Sequence, residues 1–88
     1  MKQYRTLARE LLAETANTLR KHRDLTQDEM AEHLRITSRA YGDLERGKYC
    51  FSAVALLILL LMLSEEEAAS LLKEFRRRVD ELEHKEAA

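Results

Sequence analysis

Leu25-Thr26-Gln27-Asp28-Glu29-Met30-Ala31-Glu32-His33-Leu34, then Arg35, then Ile36-Thr37-Ser38-Arg39-Ala40-Tyr41-Gly42-Asp43-Leu44-Glu45-Arg46-Gly47-Lys48, is the most informative part of this chain. Thr26 and Glu29 have the spacing of a capping box, in which a hydroxyl and a carboxylate each satisfy the other residue's backbone N–H. A short helix therefore starts at Thr26, with Met30, Ala31 and Leu34 on its inner face. A second short helix follows Thr37 or Ser38 as N-cap and turns Tyr41 and Leu44 inward. It stops at Gly47, because glycine accepts the left-handed conformation just past a helix end. Two short helices joined by a turn of three or four residues form the centre of the chain.

Outward from this pair the pattern stays helical. Tyr4, Leu7, Leu11, Leu12, Ala16 and Leu19 recur at three and four residues, so an amphipathic helix is predicted from about Gln3 to His22. On the other side Ser52 opens a fourth helix carrying an eleven-residue apolar run, Ala53 to Leu63. A membrane span needs about 20 such residues, so this run reads as a buried helix and no membrane association is expected. Ser64 and Glu67 form a second capping box, and Glu65, Glu66 and Glu67 suit the positive end of a helix dipole. The fifth helix then places Ala68, Leu72, Phe75, Val79 and Leu82 at gaps of four, three, four and three, a heptad seam lasting about two heptads. With no proline and only Gly42 and Gly47, the chain lacks the turn residues that hairpins need, and the fold class is all-α.

The length, 88 residues, implies one domain, 1–88, with a core motif at about 16–63 and a C-terminal packing or dimerisation helix at about 65–85. Fifteen basic and sixteen acidic side chains give a net charge of −1, which excludes a globally basic nucleic-acid binder but not a locally basic face. Residues 1–50 hold ten basic and eight acidic side chains, and residues 51–88 hold five and eight, so the first half is where a nucleic-acid surface belongs. The single cysteine, Cys50, cannot form an internal disulfide and points to a reducing, cytoplasmic compartment. The N-terminus has no apolar stretch of signal-peptide length. His22, His33 and His84 have no ligand spacing with one another or with Cys50, and no nucleophile–base pairing or phosphate loop is present. No metal, cofactor or enzymatic activity is expected.

The residues 25–48 resemble the lambda-repressor-like, Cro/CI-type (XRE) helix-turn-helix family, which shows L-T-Q-x-E-L-A before its turn and L-E-x-G-K after its recognition helix. The resemblance covers about residues 16–63. It implies a five-helix lambda-repressor-like domain with an extended first helix and an added C-terminal helix, binding double-stranded DNA. It further implies that Gln27 grips a phosphate at the start of the second helix. Thr37, Ser38, Arg39 and Asp43 would face the major groove, with Lys48 and Arg46 or Tyr49 on phosphate just beyond. Arg20 would pair with Glu45 beneath the recognition helix.

Three positions depart from the family pattern. Arg35 stands where the turn usually has glycine, so it must accept a left-handed conformation at a cost of ~1 kcal/mol, or the turn must differ. Gly42 lies inside the recognition helix, costing roughly 1 kcal/mol relative to alanine. Asp43 occupies a position that often reads bases with a neutral or basic residue. Several roles stay open at this level. Arg39 reads guanine or pairs with Asp43 four residues on. Asp43 accepts from a cytosine amino group or is a solvated or Arg39-paired acid. Gly42 permits close approach to DNA or is an incidental defect. The run Arg76-Arg77-Arg78 fits i,i+4 pairing with Asp80, Glu81 and Glu74, a solvated face rather than a phosphate grip.

In the family's frame Leu56, Leu60 and Leu63 would fill the core from the fourth helix. The opposite face, normally charged, holds Val54, Ile58 and Leu61, with Leu57 and Met62 alongside. Such a contiguous aliphatic stripe marks a covered interface. The cover is the fifth helix, the start of the first, or a second subunit. The expected reading is a sequence-specific DNA-binding regulator acting as a homodimer, with Val54, Ile58, Leu61, Leu72, Phe75 and Val79 at the interface. The alternative is a protein-interaction module of antitoxin or antirepressor type, which keeps the fold with weak or no DNA binding and takes a protein partner.

Overall fold

The computed structural model describes residues 2–87, so the two ends of the single-domain reading, 1 and 88, lie outside the described residues. Five α-helices follow in order: α1 (Lys2–His22), α2 (Gln27–Leu34), α3 (Ser38–Glu45), α4 (Ala53–Met62) and α5 (Glu65–Ala87). No strand occurs among the described residues.

Caps set most of the boundaries. Thr26 Oγ1 accepts from Glu29 N at 3.1 Å while Glu29 Oε1 accepts from Thr26 N at 2.8 Å. Ser64 and Glu67 repeat this reciprocal pair at 3.0 and 2.8 Å. Of the two candidates for the α3 cap, Thr37 fills the position, its hydroxyl accepting from Ala40 N, and Ser52 does the same for α4 with Ala55 N. Three helices end on a left-handed residue: Asp24 (φ 56°), Arg35 (φ 59°) and Gly47 (φ 75°). Each end shows paired backbone bonds in which the residue after the left-handed one donates back across the last turn: Leu25 to Arg20, Ile36 to Ala31 and Lys48 to Asp43. Arg35 thus takes the left-handed position itself, and the turn keeps the geometry that a glycine would give.

The core is built from the inner faces of the helices. Leu11, Leu12, Ala16 and Leu19 of α1 meet Met30, Ala31 and Leu34 of α2 and Tyr41 and Leu44 of α3. α2 packs on α3 and α4, and α1 lies against α3 and α5. The contribution of α4 corrects the expected phase. Ala55 and Leu59 are its buried residues, whereas Leu56, Leu60 and Leu63 pack only partly against the core. The small Ala55 lets the helix approach closely, and a run without polar residues carries no phase to read. Phe51, just before the α4 cap, is also buried.

The seam of α5 is directed at α1. Leu71, not the expected seam residue Leu72, is its buried residue; Phe75 packs partly on the core, and Val79 and Leu82 are half-buried. Polar contacts fasten the pair along its length: Arg23 to Glu67, Arg78 to Glu14 at 2.9 Å, and Tyr4 to Glu83 at 2.7 Å. Because α5 covers α1, the outer face of α4 remains open, with Val54 68%, Leu57 61% and Leu61 84% exposed. Leu72 is also exposed, but Ile58 and Phe75, expected on the outward interface, lie partly buried against the chain's own core. The basic run behaves as i,i+3 and i,i+4 partners: Arg77 bonds Glu74 and Glu81, and Arg78 bonds Glu74. The expected Arg76–Asp80 pair does not form, and Arg76 stays exposed.

Candidate nucleic-acid interface

α3 is held from behind by one carboxylate. Glu45 Oε2 accepts from Arg20 Nε at 2.8 Å and from the Tyr41 hydroxyl. Its Oε1 accepts from Arg20 Nη2 at 3.0 Å, Asn17 Nδ2 at 2.8 Å and Gln27 Nε2 at 3.1 Å. Arg20 Nη1 also donates to Leu25 O at 3.0 Å. The cluster ties α1, the loop after it, the first residue of α2 and α3 to one point. The Glu45 and Arg20 side chains are 6% and 16% exposed. Burial alone would push the Glu45 carboxyl up, but the hydrogen bonds from Arg20, Tyr41, Gln27 and Asn17 outweigh it and hold the group down at about 2. Burial and the neighbouring carboxylate both push the Tyr41 hydroxyl upward. Asn17 and the Tyr41 hydroxyl were not singled out from sequence. Asn17 lies three residues before Arg20 and Tyr41 four before Glu45, so helical spacing was the available signal.

With Tyr41 and Leu44 turned inward, the opposite side of α3 faces away from the core, with Arg39 and Arg46 exposed there and Gly42 and Asp43 buried between them. At about 100° per residue, Arg39, Gly42, Asp43 and Arg46 share that side. Thr37, Ser38 and Arg39 are exposed at its N-terminal end, although the Thr37 hydroxyl is occupied as a cap. Asp43 departs from the expected arrangement. It lies on this side, but its side chain is only 12% exposed, and its partner is Arg46, three residues on, rather than Arg39. Asp43 is among the residues lining a groove of about 310 Å³, together with Ile36, Arg39, Leu44, Tyr49 and Ala55.

The flanks complete the surface. Lys48 is exposed, its Nζ 5.4 Å from the centroid of the Tyr49 ring, a cation–π contact that restrains it beside the end of α3. Gln27 stands at the start of α2, where helix N–H groups favour an anion, but its side-chain amide is directed to Glu45. Among the described residues no group of His, Cys, Asp or Glu is arranged to hold a metal, and no helix is long and apolar enough to cross a membrane.

Comparison with known proteins agrees with this geometry. A helix-turn-helix family model matches residues 18–63, more than half of the chain. No curated protein and no solved structure matches. The matched span runs from the end of α1 through α4 and contains the Arg20–Glu45 pair and all of α3. The chain belongs to the lambda-repressor-like, XRE-type helix-turn-helix family of DNA-binding regulators.

Proposed function

We propose that this chain is a sequence-specific DNA-binding transcriptional regulator acting as a homodimer. The observation that carries the reading is α3: pinned from behind by Glu45, it presents Thr37, Ser38, Arg39 and Arg46 to solvent on a rigid base. In this reading α3 enters the major groove, and the backbone N–H at Gln27 and the Lys48 side chain meet phosphates on either side. A twofold pair of such helices would span two half-sites. The single, exposed Cys50 supports a reducing, cytoplasmic setting. The decisive experiment is retention on a duplex column as salt is raised. Affinity must fall steeply, since each phosphate contact releases counterions.

The exposed face of α4 favours a second reading, a protein-interaction module. Val54, Leu57 and Leu61 are open, and the chain's net charge of −1 gives no general attraction to DNA. A module of that kind would not be retained on duplex even at low salt.

A further inference from the structure

We propose that Arg46, the C-cap residue of α3, laid back over Gly42 and fixed by Asp43, is a base-reading side chain with guanine as its target, and that Asp43 positions it without reading a base. This rests on the DNA-binding reading above. Arg46 N donates to Gly42 O at 3.1 Å, so Arg46 sits one turn after Gly42 on the same side of the helix. Helical side chains lean toward the N-terminus, which carries this guanidinium back over the middle of α3 and away from the flank occupied by Lys48. Gly42 provides the space. A Cβ there would lie 3.3 Å from Arg46 Nη1 and 3.9 Å from Cζ, so the guanidinium rests on bare backbone. Arg46 Nη2 donates to Asp43 Oδ1, with the arginine side chain 66% exposed.

Charge decides between base and phosphate. The Asp43–Arg46 pair is neutral and adds little attraction to a polyanion, which makes it a poor phosphate grip. Reading guanine needs two N–H donors in fixed orientation rather than net charge. A guanidinium has five donors, so one bond to Asp43 leaves donors for O6 and N7. Asp43 is then a positioning residue.

The test is selection from a random-core duplex library with the unmodified chain, Arg46→Ala and Asp43→Asn, each checked for folding by its melting curve, together with affinity for one arbitrary duplex. The expected result is a guanine position in the motif of the unmodified chain that both variants flatten, with other positions kept and discrimination there reduced on the order of tenfold or more. Asp43→Asn should at the same time bind the arbitrary duplex more tightly, because it removes a negative charge. A merely structural role for Asp43 would instead lower all binding together. If Arg46→Ala weakens every sequence equally and lowers the salt slope by about 1, Arg46 is a phosphate contact and the proposal fails. If Asp43→Asn leaves the guanine position intact, the positioning role fails. If the unmodified chain enriches no motif, the DNA-binding reading itself falls, and this proposal with it.

Discussion

At the scale of single residues, Glu45 has the largest consequences. Its carboxylate accepts five hydrogen bonds from four residues, two of them from Arg20, and lies almost wholly out of solvent. Glu45→Gln keeps the shape but strands a partly buried guanidinium. Breaking a buried pair costs about 3–5 kcal/mol. The lower end applies, since Arg20 retains some solvent contact, and the denaturant midpoint should fall accordingly. The same group sets an acid limit. Its folded value of about 2 lies below the ordinary 4.5, so its contribution is complete above pH 4.5 and is lost as pH falls from there toward 2. Glu29 and Glu67 are lowered by their capping-box N–H groups, and Glu74 is held at about 2 by Arg77 and Arg78. Acid titration of the Glu45→Gln variant should therefore show a shallower, not a flat, loss of stability across that window. Arg35 offers the opposite sign. It stands at φ 59° with its side chain exposed, donating to His33 O. Arg35→Gly should relieve left-handed strain of about 1 kcal/mol, raising the melting temperature by roughly 4–8 °C in a domain of this size.

At the scale of elements, the helix ends carry the testable energetics. Glu67 closes the α5 capping box and also bonds Arg23, just past the end of α1. Ser64→Ala removes one half of that box and should cost about 1 kcal/mol. It should loosen the start of α5 first, seen as faster amide exchange of Glu67 than of the α2–α3 residues. What the sequence made legible follows from the same elements. Thr26 with Glu29 and Ser64 with Glu67 announce their boundaries because capping needs particular side chains at fixed spacing. The α1 pattern from Leu11 to Leu19 shows its inner face because polar residues interrupt it. In α4 nothing interrupts the run from Ala53 to Met62, so the choice of Ala55 and Leu59 as its buried residues is made by tertiary packing alone. At the site, the Arg20–Glu45 contact was suggested by resemblance, not by spacing, since 25 residues separate the partners. Asp43 had arginines at both i−4 and i+3, and spacing could not choose between them. In the structure the partner is Arg46, whose guanidinium lies over Gly42.

At the scale of the whole molecule, the exposed face of α4 is the surface on which a second subunit would pack. Its ten residues, AVALLILLLM, carry no charge and no hydrogen-bonding side chain, and Val54, Leu57 and Leu61 recur at three and four residues along one exposed face. A twofold axis brings such a patch against itself, and an uncharged patch meets no repulsion in doing so. Burying one such side chain stabilises by ~1.5–3 kcal/mol. Association costs about 4–15 kcal/mol, so each residue on the face matters to whether a dimer persists. Leu61→Glu is the cleanest probe. At 84% exposure the side chain adds almost nothing to the single subunit, so the subunit should fold unchanged, while a dimer would have to bury two carboxylates. Ile58→Glu or Phe75→Glu would instead damage the fold, because both pack on their own core. Sedimentation of the unmodified chain at tens of micromolar should give twice the 10.3 kDa subunit mass, and the Leu61→Glu variant should give the subunit mass with an unchanged helical spectrum. An unmodified chain that sediments as a single subunit would leave the α4 face to a different protein and remove the twofold from the proposed DNA complex.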